Sequence, residues 1–388
     1  MDPDRTTETY PRDRRRYQSG VDPITALGIL GTDLVLPMLA AQLEFTLGRA
    51  ATCDLRVDSK HLASRYLASF HARIERIPVS SQATIRVIDV SSGKNDIVYN
   101  EVASKEFAIG AGDWFQIGET RYYALNEEMR LAWPKVMQIL GIRHVAAISD
   151  LLVAAVRDSA RHMLLLGEPG CDQERLARLI HRVSHRRHNQ FHALPEQPKL
   201  TSTRHQDIQD TCSGTMLVHL YHKGKLHQRI VEMLLAPAAD LRLIICARSP
   251  DKADASFPSD LLHDAKQIKI PSLRQRKSEI PELLDQWFIA RHSLLRYSAL
   301  RDELRAGIMA YTWPENLREL RDLASMLCRL ASCRSVRKAM AECQVSRGEL
   351  RSWEKKFNTT LQFPLVASEA TKPTRRSREA TKPARRSR

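Results

Sequence analysis

Between about residues 35 and 125, apolar and polar positions alternate with a period of two in short runs, most clearly at 83–90 (ATIRVIDV) and 121–125. Gly, Asn, Asp and Ser clusters separate these runs and no long helical stretch interrupts them, so the pattern predicts an all-β sandwich. The connector 126–149 is rich in helix formers and poor in flexible residues, which predicts close coupling of what it joins. From about 150 to 330 continuous apolar runs (163–166, 214–220, 241–247) alternate with helical spacing (151–157, 173–183, 228–235). That alternation predicts an α/β core with a parallel sheet. Residues 335–357 read as a helix-turn-helix. Val336, Met340 and Ala341 form an inward face, Gln344 and Val345 the turn, and Ser346 the N-cap of a second helix running toward Lys356.

The stretch 163–181 (MLLLGEPGCDQERLARLIH) carries the candidate chemistry. A buried strand, the tight loop from Gly167 through Glu168 to Gly170, and a helix with apolar Leu176, Leu179 and Ile180 form the front of a P-loop domain. Such a loop holds phosphates with backbone N–H groups and a Lys aimed at the β/γ oxygens. Gln173 stands at the Lys position and Asp172 at the preceding Gly position. A neutral amide beside a carboxylate forfeits a charge-assisted contact worth roughly 1.5–3 kcal/mol.

The formal charge of the 388 residues is +15, which suits a polyanion or an acidic partner. The 369–378 and 379–388 segments are near-duplicates rich in Lys and Arg without an apolar face, so the tail is expected to be disordered and drawn to polyanions without sequence preference. The charged segment 1–20 is likewise expected to be disordered and has no signal-peptide core. The best candidate span, 24–41, is broken by Asp33 and Pro37, so the expectation is a cytoplasmic protein with no membrane partner. Seven scattered cysteines without CxxC pairs fit reduced thiols. His181 and His185, with His188 and His192 nearby, have a spacing that could hold a metal but lack carboxylate or Cys partners. They read as a basic face, and no metal site is expected.

Residues Gly48-Arg49, Cys53-Asp54-Leu55, His71-Ala72-Arg73-Ile74, Asp89, Asn95, Asn100, Gly112-Asp113 and Ile117-Gly118 resemble the forkhead-associated (FHA) domain. The resemblance implies a sandwich whose loops bind phosphothreonine, with Arg49 on the phosphate, a Ser hydroxyl beside it and Asn95 holding the peptide backbone. The family's Ser and Arg positions before His71 read Ala68 and Ser69, and a Ser64-Arg65 pair sits four residues earlier, so either Ser64 or Ser69 supplies the hydroxyl. Asp96 adds a negative charge near the implied peptide path. The bland alternative is a protein-docking sandwich.

Residues 150–330 resemble the AAA+ core of sigma-54-type enhancer-binding regulators. Besides the loop, this rests on 214–218 (GTMLV), 242–245 (RLII), Pro271-Ser272-Leu273-Arg274-Gln275-Arg276 and Trp313-Pro314-Glu315-Asn316-Leu317-Arg318-Glu319-Leu320. The departures fall on the chemistry. His219 and Leu220 stand where the family has its Walker B Asp-Glu, and Pro258 and Asp264 where it has arginine fingers. Only 24 positions, counted inclusively, run from Phe191 to Gly214, too few for the family's sigma-contacting loop. The implied catalytic set is therefore empty and the chain a pseudo-ATPase with no required cofactor, ATP being the one weighed. Arg318 matches the sensor arginine; the alternative is a helix-terminal Arg in an ion pair. The vestigial nucleotide site would be Gly167, Glu168, Gly170, Gln173 and Arg318.

The expected organisation is an FHA domain at 25–128, a degenerate AAA+ core with helical lid at 145–330, a helix-turn-helix at 333–358 and the tail at 366–388. In the second helix Arg347, Arg351 and Lys355 recur every four residues and Ser346 lies at its start, a pattern suited to DNA; a solvated basic lid helix is the alternative. The leading reading is a bacterial DNA-binding transcription regulator that senses a threonine-phosphorylated protein. The competing ones are a phosphoprotein scaffold or pseudo-subunit in homo- or mixed oligomers with AAA+ relatives, and an ATP-dependent sigma-54 activator.

Overall fold

The computed structural model describes residues 23–365, apart from 31, 33, 59–64, 81–82, 94, 142–150, 152–160, 195–213, 221–230, 233–234, 237–239, 250–256, 332, 334–336, 338–340 and 342–344. The 1–20 segment, Ser64, Val336, Met340, Gln344 and the 366–388 tail lie outside the described residues. By contact the chain divides into two compact units, Met1–Arg276 with Glu315–Arg318, and Lys277–Pro314 with Glu319–Arg388.

Among its described residues the first unit opens with eleven strands: β1 (Ala26–Ile29), β2 (Val35–Pro37), β3 (Glu44–Gly48), β4 (Leu55–Arg56), β5 (Ala72–Ser80), β6 (Ala83–Asp89), β7 (Ile97–Tyr99), β8 (Val102–Ala103), β9 (Glu106–Ile109), β10 (Trp114–Ile117) and β11 (Thr120–Leu125). They form two sheets, ordered β2-β1-β11-β10-β7-β8 and β4-β3-β5-β6-β9. Phe45, Leu47, Ile74, Ile85, Val87, Phe115 and Ile117 fill the space between the sheets.

β1 and the end of β11 are buried on both faces. Leu27, Ile29, Tyr122 and Ala124 point into the sandwich, while Ala26, Tyr123 and Leu125 join a second core with helix α1 (Glu127–Leu140). Asn126 starts α1 by accepting the Met129 N–H on its side-chain oxygen at 2.9 Å. Trp133 of α1 packs against Tyr123 with ring centroids 5.9 Å apart. The same core continues into the α/β layer through Leu165, Leu176, Ile180, Leu217 and Ile244. Residues 127–140 of the connector thus form a packed helix, as its composition implied, and 142–149 lie outside the described residues.

The α/β layer has a five-stranded sheet ordered β13-β14-β15-β12-β16, every pairing parallel: β12 (Met163–Leu166), β13 (Phe191–Ala193), β14 (Thr215–His219), β15 (Arg242–Ala247) and β16 (Lys266–Lys269). Helix α2 (Gln173–Val183) follows β12, and the short α3 (Ser259–Asp264) precedes β16. Central strands β12 and β15 are uniformly buried, which is why they read as unbroken apolar runs.

The second unit is helical, with α4 (Ile280–Ala290), α5 (Asp302–Ala310), most of α6 (Asn316–Leu330) and α7 (Arg347–Phe357). Among the described residues no helix is long and apolar enough to cross a membrane.

Candidate functional site

The loop between β12 and α2 follows the predicted strand-loop-helix pattern, and its carbonyls are bonded by the chain's own groups. Gln173, nearly buried at the start of α2, donates from Nε2 to the Glu168 carbonyl at 2.7 Å. The Asn316 amide donates to the Pro169 carbonyl at 3.1 Å, and the Arg318 backbone N–H donates to the Gly170 carbonyl at 3.1 Å. Three successive loop carbonyls are therefore held from within the unit. The Glu168 carboxylate receives both terminal nitrogens of Arg274, one at 2.9 Å, and the Asn316 amide at 3.3 Å.

Gly170 is obligatory here. Its φ is +80°, and a Cβ would lie 2.0 Å from the Glu315 carbonyl oxygen. Asp172 sits in the left-handed region at φ 61° just before α2 and pairs with Arg175 at 3.8 Å. Burial pushes the Cys171 thiol up to about 12, despite the Arg276 charge nearby. At the Walker B positions, His219 ends β14 half-buried and Leu220 is buried. Arg318 has an exposed side chain that makes no ion pair with a described residue; its contribution to the loop is its backbone N–H. Arg274 and Asn316, which in the sequence carry only the resemblance, are partners of the loop. Their positions in the Pro-Ser-Leu-Arg and Trp-Pro-Glu-Asn motifs were the available signal.

The His181 ring belongs to the core. It is 8% exposed and shares a 2.9 Å hydrogen bond with Thr215 Oγ1, while His185 and His188 are exposed. Among the described residues no group of three or more His, Cys, Asp or Glu is placed to hold a metal ion. Burial, aided by Arg242, pushes His181 down from 6.5 to about 4. The ring is neutral in the folded state at neutral pH and protonates more readily unfolded. Its contribution is therefore intact above about pH 6.5 and lost as pH falls toward 4. At about 1.4 kcal/mol per unit of difference, roughly 3 kcal/mol should disappear over that window. Urea midpoints from neutral to acid pH test this, and the expectation fails if His181→Gln leaves the acid slope unchanged.

At the sandwich tips, Arg49 and Ser69 lie on neighbouring backbones. The Arg49 N–H donates to the Ala68 carbonyl at 3.1 Å and the Ala50 N–H to the Ser69 carbonyl at 3.0 Å. This approach requires Gly48, since a Cβ there would come 2.2 Å from the Ser69 carbonyl oxygen. Asn95 donates to the Tyr66 carbonyl at 2.9 Å, fastening the same segment from the other side. Buried His71 accepts the Ala68 N–H at 3.0 Å through Nδ1. Arg49, Ser69 and Asn95 thus converge on 66–69 with exposed side chains; Ser64 lies outside the described residues. The Asp96 charge is met by Lys105 at 3.1 Å, which also reaches Asp89 at 2.7 Å. Burial raises Asp89, but Lys105 and Ser91 outweigh it and hold the carboxyl below its usual range.

In the second unit Ser346 caps α7, accepting the Glu349 N–H at 3.0 Å. Leu350, Trp353 and Phe357 are buried, whereas Arg347, Arg351 and Lys355 lie on the exposed face. Lys356 turns inward to the Glu319 carboxylate at 2.6 Å, which also accepts the Tyr311 hydroxyl at 2.9 Å.

The first unit thus packs an antiparallel sandwich, whose loop tips gather Arg49, Ser69 and Asn95, through a helix against a parallel sheet. No protein-family model matches the chain. In sequence it is related to sigma-54-dependent transcriptional regulators: it is 28% identical over 236 residues to the uric acid sigma-54-dependent transcriptional regulator UacR of Escherichia coli (strain K12), covering 50% of this chain and 40% of UacR. The chain thus spans about two fifths of that relative. Among solved structures, NtrX of Brucella abortus in complex with ADP overlaps 54% of this chain and 55% of its own at 18% identity and a TM-score of 0.38. An FHA domain from a study of phosphothreonine-dependent FHA interactions overlaps 26% of this chain and 94% of its own at 15% identity and a TM-score of 0.20.

Proposed function

We propose that this chain is a DNA-binding transcription regulator that docks a threonine-phosphorylated protein through its sandwich and works without hydrolysing ATP. The observation that carries the reading is Gln173 turned onto the Glu168 carbonyl at 2.7 Å, where a P-loop needs a cation facing the phosphates. His219 and Leu220 stand in the acidic positions and offer neither Mg²⁺ nor an attacking water a carboxylate there. The purified chain should release no phosphate from ATP above a heat-denatured control. Steady turnover that disappears on altering Gly167 or Gly170 would overturn the reading.

For the sandwich, an Arg-phosphate contact is a charge-assisted pair worth roughly 1.5–3 kcal/mol. Arg49→Ala should therefore weaken binding to phosphothreonine peptides about tenfold or more, with binding of unphosphorylated peptides unchanged. A peptide array read against the full chain tests this, and unchanged phosphopeptide binding would misplace the site. For DNA, the support is α7: a capped helix with one apolar face inward and three cations outward. The first helix of the helix-turn-helix falls largely outside the described residues.

A further inference from the structure

We infer that Gly348 is where α7 comes closest to duplex DNA, and that its missing side chain lets Arg351 reach base edges in the major groove. This rests on the DNA-binding reading above and adds the two residues that set specificity within it.

The fold does not ask for a glycine at 348. The residue is the second of α7, exposed, and its backbone is helical rather than left-handed. Among the described residues, a Cβ there would meet only the Ser346 Oγ, at an ordinary 3.8 Å. At Gly48 and Gly170, by contrast, a backbone carbonyl oxygen stands 2.2 and 2.0 Å from where the Cβ would be, so packing within the chain explains those glycines. Glycine weakens a helix relative to alanine, because it has more backbone freedom to lose and no side chain to bury. The use left for a bare Cα at 348 is close approach by a partner.

The position on the helix says where that partner lies. At about 100° per residue, Gly348 points roughly opposite the midpoint of the buried Leu350, Trp353 and Phe357. Arg347, Arg351, Ser352 and Lys355 share its face and are all exposed. Helical side chains lean toward the N-terminus, which sets Arg351 and Ser352 over the turn that holds Gly348.

This face carries charge of one sign. Both acids of α7 are held by neighbours: Glu349 pairs with Arg329 at 2.8 Å, and Glu354 accepts the Leu361 N–H at 3.0 Å. Arg347 and Lys355 stand about 12 Å apart along the axis, a row that a major groove about 12 Å wide admits. No large apolar side chain lies among them to enter lipid or the core of a protein interface. Cations, small hydroxyls and bare backbone suit a groove walled by phosphates. Arg347 and Lys355, at the two ends, are assigned to phosphates. Arg351, beside the bare turn, is assigned to a guanine edge, which its forked donors fit.

The test uses the full chain and duplexes that it enriches from a random-sequence pool. Gly348→Ala should leave the thermal midpoint equal or higher. It should nevertheless weaken the enriched duplex about fivefold or more, because a helix held off the groove loses at least one base contact. The salt slope should not change, since no cation is removed. Arg351→Ala should lower the preference for enriched over random duplex by about 5- to 150-fold, the range for one bidentate base contact. If Gly348→Ala binds the enriched duplex like wild type, the glycine does not meet DNA and the inference is overturned. A lowered midpoint overturns it as well, because the fold itself then needs the glycine. An undiminished preference in Arg351→Ala removes the guanine assignment. A wild-type chain that binds no duplex at all instead brings down the DNA-binding reading on which the inference stands.

Discussion

Replacing Trp313 with Ala is expected to cost the second unit about 3–5 kcal/mol, the range for deleting a large aromatic side chain from a core. Trp313 is fully buried and its indole N–H donates to the Ile308 carbonyl at 3.1 Å. Its ring meets Tyr311 edge-on at 5.1 Å between centroids and lies 6.1 Å from Phe357 and 6.5 Å from Trp353. The residue joins the loop after α5 to the inner face of α7, so its loss leaves a cavity under the helix that carries the outward cations. Hydrogen exchange should accelerate in α5 and α7, and the denaturant midpoint of that transition should fall. Unchanged protection of the α7 amides would show that Trp353 and Phe357 hold the helix without it.

Gly170→Ala should be comparably damaging, at about 2–5 kcal/mol. The left-handed backbone penalises any Cβ by roughly 1–2 kcal/mol, and the 2.0 Å approach to the Glu315 carbonyl oxygen must be relieved by moving backbone, at a further cost of about 1–3 kcal/mol. Displacing Glu315 also breaks the bond from the Arg318 N–H to the Gly170 carbonyl and pulls Asn316 from the loop. Cys171, 1% exposed in the native loop, is the reporter: its peptide should become labelled by a thiol reagent far faster in the variant. A labelling rate equal to wild type would mean the loop tolerates the methyl group and is not held shut by 315–318. Opening the loop in this way should yield no ATPase, because it supplies neither a cation at 173 nor an acid at 219 or 220.

Much of this architecture follows from local pattern. The two-residue period of β5 and β6, the unbroken apolar runs of β12 and β15, the strand-loop-helix of 163–183 and the Ser346 cap with Glu349 three residues on are all encoded within a few neighbours of each residue. The candidate residues Arg49 and Asn95 come instead from the resemblance of short motifs to the FHA domain.

What the local pattern could not encode is who meets whom across the chain. The ALGI sequence of β1 gives no sign that alternate residues serve two different cores, because the second is made by α1, a hundred residues away. Asp96 is an isolated charge in the sequence, whereas in the fold Lys105 lies against it. Gln173 could be read as a missing cation, but that its amide closes the loop depends on a buried geometry in which an unbonded amide would be costly. Lys356 stood one position beyond three equivalent-looking cations, and only the arrival of Glu319 and Trp353 turned it inward. In each case sequence determined the residue types and their period, while charge pairing and burial between distant segments decided which of those residues remain free to meet a partner.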